Sequence, residues 1–238
     1  MSDRYRFIYI RLPKASSSSV VRALRRMLCP NVHACPPDLL EQRSLSEVSA
    51  EKWAAYIVFT AVRNPFTRAA SAYSFLTARH LFNKLGTGND APRGKPCAVP
   101  FSEFAASSHA LSHRRVCAVP PHCCAFVEDT GWVEHFVDLH ISDQAHAVFD
   151  AAGRNAVDFI ARTEHLVADM AEVVRIINAR EGSALNITIK QLNAGPHLDA
   201  AAVHKRMYDA ATMRGVAKQY AVDLLRFGFL EPLATATG

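Results

Sequence analysis

"FIYIRLPKASSSSVVRALRRML", residues 7–28, decides how the chain is read. The apolar run centred on FIYI, within Arg4 to Leu12, has the near-continuous hydrophobicity of a strand buried on both faces of a parallel sheet. From Ser18 onward the apolar positions Val20, Val21, Leu24, Met27 and Leu28 recur at helical spacing. Arg22, Arg25 and Arg26 fall toward the opposite side, and Ser18 or a neighbouring serine is placed to cap the start. The unit is therefore strand, loop, helix. Such a loop gathers unpaired backbone N–H groups at the positive end of a helix dipole, which is a setting for phosphate or sulfate. Lys14 adds a charge, Ser16, Ser17, Ser18 and Ser19 add hydroxyls, and small side chains let the backbone close around an oxyanion. The same text also reads as a capped turn. The triphosphatase pattern GxxxxGK[ST] is absent, since the lysine precedes the small residues and there is no glycine, and this disfavours an ordinary ATPase or kinase.

The pattern then repeats. Ala55 to Val62 (AYIVFTAV) predicts a second buried strand, RNP its turn, and Phe66 to Leu76 a second helix with Ala69, Ala70 and Tyr73 inward. Two such units predict an α/β fold with a central parallel sheet. Arg63 stands at the C-terminal end of the second strand, where open α/β sheets bind their ligands, and Ser71 lies about two turns into the helix. A guanidinium and a hydroxyl in those places suit one phosphate. Leu81 to Thr130, with GTGNDAPRGKP and VPPHCC, reads as a long irregular excursion holding one short helix near Phe101 to Ser107. Val157 to Ala161 predicts a third strand, and Thr163 caps a helix reaching about Arg180 through Leu166, Met170, Val173, Val174 and Ile177. A loop is expected from Asn193 to Leu198. The last helix carries Val216, Tyr220, Leu224 and Phe227 on one stripe and stops near Gly228.

The 238 residues, half of them hydrophobic, suffice for one sizeable core and read as a single domain spanning 1–238. No run approaches the roughly 18–20 apolar residues of a membrane-spanning helix, and MSDRYRF lacks the order of a signal peptide, so a soluble chain is expected. Lysine and arginine exceed aspartate and glutamate by 27 to 22, which suggests an anionic partner. The arginines are dispersed, and no RNA-recognition or helix-turn-helix signature accompanies them, so nucleic acid is disfavoured. The six cysteines show no CxxC spacing, which argues against zinc. Disulfides and buried thiols both remain open.

Taken together, LPKASSS (Leu12 to Ser18) and VRNPFTRAASAY (Val62 to Tyr73) resemble the signatures h-P-K-x-[AG]-[ST]-[ST] and V-R-[ND]-P-x-x-R-x-x-S-x-Y of the sulfotransferases that use 3′-phosphoadenosine 5′-phosphosulfate (PAPS), specifically the Golgi carbohydrate group called type 2. HISDQ (His140 to Gln144), VDFIARTEHL (Val157 to Leu166) and QYAVDLLRFGF (Gln219 to Phe229) are similar to later elements of that family, with Ala161 where glycine is usual. The resemblance implies a P-loop-like sulfotransferase fold in which Lys14, Ala15, Ser16, Ser17, Ser18 and Ser19 hold the 5′-phosphosulfate while Arg63 and Ser71 hold the 3′-phosphate. It implies in-line sulfuryl transfer to a carbohydrate hydroxyl, with Lys14 stabilising the leaving phosphate oxygen and no metal required.

Arg68 also matches the family pattern and reads equally as a surface or helix-packing arginine; Glu164 reads as an anchor of the fold. Some relatives place a histidine pair just before the second strand, where this chain has SAEKWAAY. The base is therefore sought elsewhere: His140, in the H-x-x-x-Q element, is the first candidate and His33 the second. Gln144 is read as orienting the acceptor or packing against the loop. Relatives are usually anchored in the Golgi by an N-terminal helix, so the chain is expected to be a lumenal catalytic fragment or else a soluble cytoplasmic form. A non-catalytic nucleotide- or polyanion-binding module that keeps the phosphate loops is the alternative.

Overall fold

The computed structural model describes residues 1–29, 31, 35–42, 45–78, 101–102, 104–105, 140–150, 152–190 and 207–229. The chain divides into two compact units, Met1–Arg63 with Gln144–Ala194, and Asn64–Asp143 with Gly195–Gly238.

The first unit is built on a parallel three-stranded sheet in the order β1 (Phe7–Ile10), β2 (Ile57–Val62), β3 (Phe159–Arg162). Phe7 pairs with Ile57 and Phe59 with Phe159, so all three strands end at one edge. Side chains alternate across a strand. One face presents Phe7, Tyr9, Ile57, Phe59, Ala61 and Ala161 to a core shared with α1 (Ser17–Leu28) and α4 (Leu166–Glu181); α2 (Ala50–Ala55) and α3 (Pro65–Ala78) lie between them in sequence. Val20 and Leu24 of α1 and Met170, Val173 and Ile177 of α4 are buried there. The other face, with Ile8, Ile10, Val58, Thr60 and Val62, is buried as well. This is the burial on both faces that a near-continuous apolar run predicts. The fold class is α/β with a parallel sheet flanked by helices, as the sequence indicated.

Several boundaries differ from the sequence reading, each for a local reason. β1 starts at Phe7 rather than Arg4 because Arg6 takes φ 45°, outside the strand region. The N-cap of α1 falls on Ser16, one of the neighbouring serines, but its side chain makes no capping hydrogen bond among the described residues. Thr163 does not cap α4; it opens a 3₁₀ turn, Thr163–His165, and its buried hydroxyl has no hydrogen-bond partner among the described residues. Asp169 holds that junction instead, its Oδ2 accepting from the Arg162 N–H at 2.6 Å. Just past α1, Cys29 and Cys35 form a disulfide, settling for these two the choice the sequence left open.

In the second unit, Asn64 and Pro65 explain the RNP turn. Asn64 Oδ1 accepts from the Phe66 N–H at 3.0 Å, and proline at the first helical position gives up an N–H that has no intrahelical partner in any case. Tyr73 packs edge-on to Phe101, and Phe101 edge-on to Tyr208, whose hydroxyl donates to the Phe66 carbonyl at 2.7 Å. Residues 101, 102, 104 and 105 are helical; the rest of the expected excursion from Leu81 to Thr130, and the loop from Asn193 to Leu198, lie outside the described residues. The final stripe falls on two helices, α5 (Ala210–Gln219) and α6 (Ala221–Phe227), with Gly228 left-handed at φ 62° past the end. Val216, Tyr220, Leu224 and Phe227 are buried, as expected.

Candidate functional site

The C-terminal edge of the sheet gathers the loop after β1, the residue after β2 and the end of β3. Lys14 and Ser16 take left-handed backbone, φ 66° and 58°, although neither is glycine. Such a conformation costs a side-chain-bearing residue roughly 1–2 kcal/mol. The turn it makes folds the chain straight from β1 into α1, and the Ser16 carbonyl accepts from the N–H groups of Ser19 and Val20 at 2.9 and 3.1 Å. The amides of Ser17 and Ser18 precede the first intrahelical bonds, and Ser16 offers them no side-chain cap. An anion fits an end of this kind, since N–H groups and the positive end of the helix dipole converge there. Ala15 and Ser19 are buried; Lys14, Ser16 and Ser17 are half-buried and Ser18 is exposed, so the loop presents these last four side chains.

Arg63 is brought to this loop. Its Nη1 donates to the Lys14 carbonyl at 3.4 Å. Its own backbone is held on both sides by Gln144: Oε1 accepts from the Arg63 N–H at 2.8 Å and Nε2 donates to the Arg63 carbonyl at 2.8 Å. Arg162, paired in register with Val62, adds a further guanidinium-bearing residue at the end of β3. A groove of about 250 Å³ lies elsewhere in this unit, between Ala23, Arg26 and Met27 of α1 and Asn186, Thr188 and Lys190; none of the expected site residues lines it.

The second unit carries the remaining candidates. Ser71, on α3, is half-buried. Arg68 is 2% exposed and its Nη1 donates to the Ser142 carbonyl at 2.7 Å. Burial lowers its pKa, opposed by Tyr220, Asp223 and Asp143, so this arginine packs the unit rather than serving its surface. Tyr220 donates to the Ile141 carbonyl at 2.8 Å, and the segment His140–Ser142 is thereby tied to both α3 and the α5–α6 junction. His140 stacks its ring on Phe75, centroids 5.1 Å apart and planes 12° from parallel. His33 lies outside the described residues. Among the described residues no three metal-ligating side chains converge, and no helix is long and apolar enough to cross a membrane.

A family model described as "Sulfotransferase family" matches residues 1–230. The chain belongs to this type 2 sulfotransferase family. No curated protein and no solved structure matches it. Its activity class follows from the family: it is a transferase that moves a sulfuryl group to a hydroxyl-bearing acceptor.

In this sulfotransferase the structure joins Lys14 through Ser19 with Arg63 in one unit, and places Ser71 and His140 in the other. The sequence reading missed the grip of Gln144 on the Arg63 backbone. The only signal available was the glutamine of H-x-x-x-Q, whose partner stands 81 residues away. It also assigned no role to Arg162.

Proposed function

We propose that this sulfotransferase uses PAPS as donor and a carbohydrate hydroxyl as acceptor, with residues 1–238 forming one catalytic domain. The observation that supports the donor reading best is the strained loop from Leu12 to Ser16, opening onto a helix end with no side-chain cap and tied to Arg63. Strain of this kind persists where surrounding structure enforces it, and it collects at ligand clamps. When bound, the donor supplies a sulfuryl group that passes in line to the acceptor hydroxyl, with adenosine 3′,5′-bisphosphate as leaving group.

In this reading the residues divide the work by charge. The amides and hydroxyls of Ser16, Ser17 and Ser18, with the backbone of Ala15 and Ser19, bind the 5′-phosphosulfate. The Lys14 ammonium neutralises the leaving phosphate oxygen, a contact of the kind whose loss costs about 2–4 kcal/mol in a transition state. Arg63 and Ser71 hold the 3′-phosphate. His140 removes the acceptor proton; stacking on Phe75 engages the face of its ring, whereas the nitrogens lie on the edge.

Calorimetric titration with adenosine 3′,5′-bisphosphate, alongside adenosine 5′-phosphate, tests the reading. The bisphosphate should bind more tightly, and the preference should collapse in the Arg63→Ala, Ser71→Ala variant. His140→Ala should keep that binding while losing transfer, and unchanged transfer would remove His140 as base. A wild-type protein indifferent to the 3′-phosphate would put the non-catalytic polyanion-binding reading ahead.

A further inference from the structure

β2 leaves its ladder at Val62, which pairs with Arg162. Arg63 therefore lies one residue past the sheet, where no neighbouring strand among the described residues defines its peptide planes. Gln144 supplies what a strand would, an acceptor for the Arg63 N–H and a donor for its carbonyl, both at 2.8 Å. The glutamine is itself fixed. It is 1% exposed, and it caps the 3₁₀ turn Ala145–Ala147, its carbonyl accepting from the Ala147 N–H at 3.1 Å. The turn is anchored in turn by buried Ala145 and Val148, and Val148 accepts from the Ala156 N–H at 2.7 Å.

Two hydrogen bonds on the two sides of one Cα fix the direction in which its side chain leaves the backbone. We infer that Gln144 is a positioning residue for donor specificity: it aims the Arg63 guanidinium, so that discrimination for the 3′-phosphate depends on a carboxamide that never touches the nucleotide. The inference rests on the donor reading above and adds the residue through which Arg63 acts. A neutral carboxamide of this length offers a donor and an acceptor side by side; an ionised carboxylate offers acceptors alone, and leucine offers neither.

The test is the ratio of dissociation constants for adenosine 5′-phosphate and adenosine 3′,5′-bisphosphate in the whole chain. It is measured for wild type, Gln144→Glu, Gln144→Leu, Arg63→Ala and the double variant Arg63→Ala, Gln144→Glu. At neutral pH, Gln144→Glu and Gln144→Leu should each lower the ratio by about tenfold, the scale of a lost buried hydrogen bond, with affinity for adenosine 5′-phosphate unchanged. Arg63→Ala should lower it as well, and adding Gln144→Glu should then change nothing further, because a residue that acts through a side chain has no effect once that side chain is gone. Should Gln144→Leu not fold, Gln144→Glu, which keeps the shape, decides the matter when the ratio is read at a pH high enough to ionise its buried carboxyl. An unchanged ratio in Gln144→Glu, equal weakening of both nucleotides, or losses that add in the double variant would overturn the inference while the donor reading stands. No preference in wild type would overturn both together.

Discussion

Lys14 and Ser16 adopt backbone usually left to glycine, and they do so on either side of a buried alanine. A loop of glycines would make the same turn without strain but would lose the ammonium and the hydroxyls. Replacing Ser16 alone separates these effects. Ser16→Gly removes the left-handed penalty and adds unfolded-state entropy, and the balance should favour the folded state by about 0.5–1 kcal/mol, read from the urea midpoint. A lower midpoint would show that the conformation is unstrained. The strand, loop and helix around this turn were legible from the sequence, because an unbroken apolar run gives way to helical spacing across it. Its conformation was not, since positive φ is signalled by glycine and there is none. The grip of Gln144 on Arg63 was equally illegible, because a side chain reaching the backbone of a residue 81 positions away leaves no periodic trace.

Among the elements, α1 and α5 finish their N-termini in opposite ways. α1 has no side-chain cap, whereas α5 is closed by a capping box: Asp209 accepts from the Thr212 N–H at 2.7 Å, and the Thr212 hydroxyl accepts from the Asp209 N–H at 2.8 Å. The Thr212 backbone N–H, then its hydroxyl, holds the Asp209 carboxyl below the usual aspartate pKa. A pKa lower in the folded than in the unfolded state contributes stability that is fully present above the unfolded value of about 3.9, and is lost as pH falls through the folded value. Asp209→Ala should therefore be less stable than wild type at pH 7, and the gap in melting temperature should narrow as pH falls below about 4. A gap independent of pH would mean that the carboxylate charge contributes nothing. The helices themselves were legible as apolar stripes, notably Leu166, Met170, Val173, Val174 and Ile177, all buried. Their ends were not, because several serines, or Thr163, satisfy a capping rule equally well in sequence and only the path of the chain chooses among them.

For the whole molecule, the core was legible and its assembly was not. Phe59 sits at its centre, fully buried in the middle strand, with its ring 5.2 Å from that of Tyr9 and 5.7 Å from that of Phe7. Phe59→Ala should cost about 3–5 kcal/mol of unfolding free energy, measured by denaturant titration. A loss under about 1 kcal/mol would mean that the surrounding side chains collapse into the space. Apolar runs announced all three strands, but not that β3 takes its place beside β2 through a parallel ladder that joins residues 100 positions apart.

That discontinuity has a consequence for synthesis. The first unit is interrupted after Arg63 and resumes at Gln144, so β1, α1 and β2 leave the ribosome well before β3 and α4 exist. Roughly 130 residues separate Arg63 from the end of the unit, about 6–26 s of translation at ~5–20 residues per second. During that interval β2 has an unpaired edge, the sheet lacks the apolar face of α4, and Arg63 waits for the glutamine that holds its backbone. The nascent chain is then most open to wrong strand pairing, and the C-terminal edge of the sheet is among the last parts of the unit to be completed.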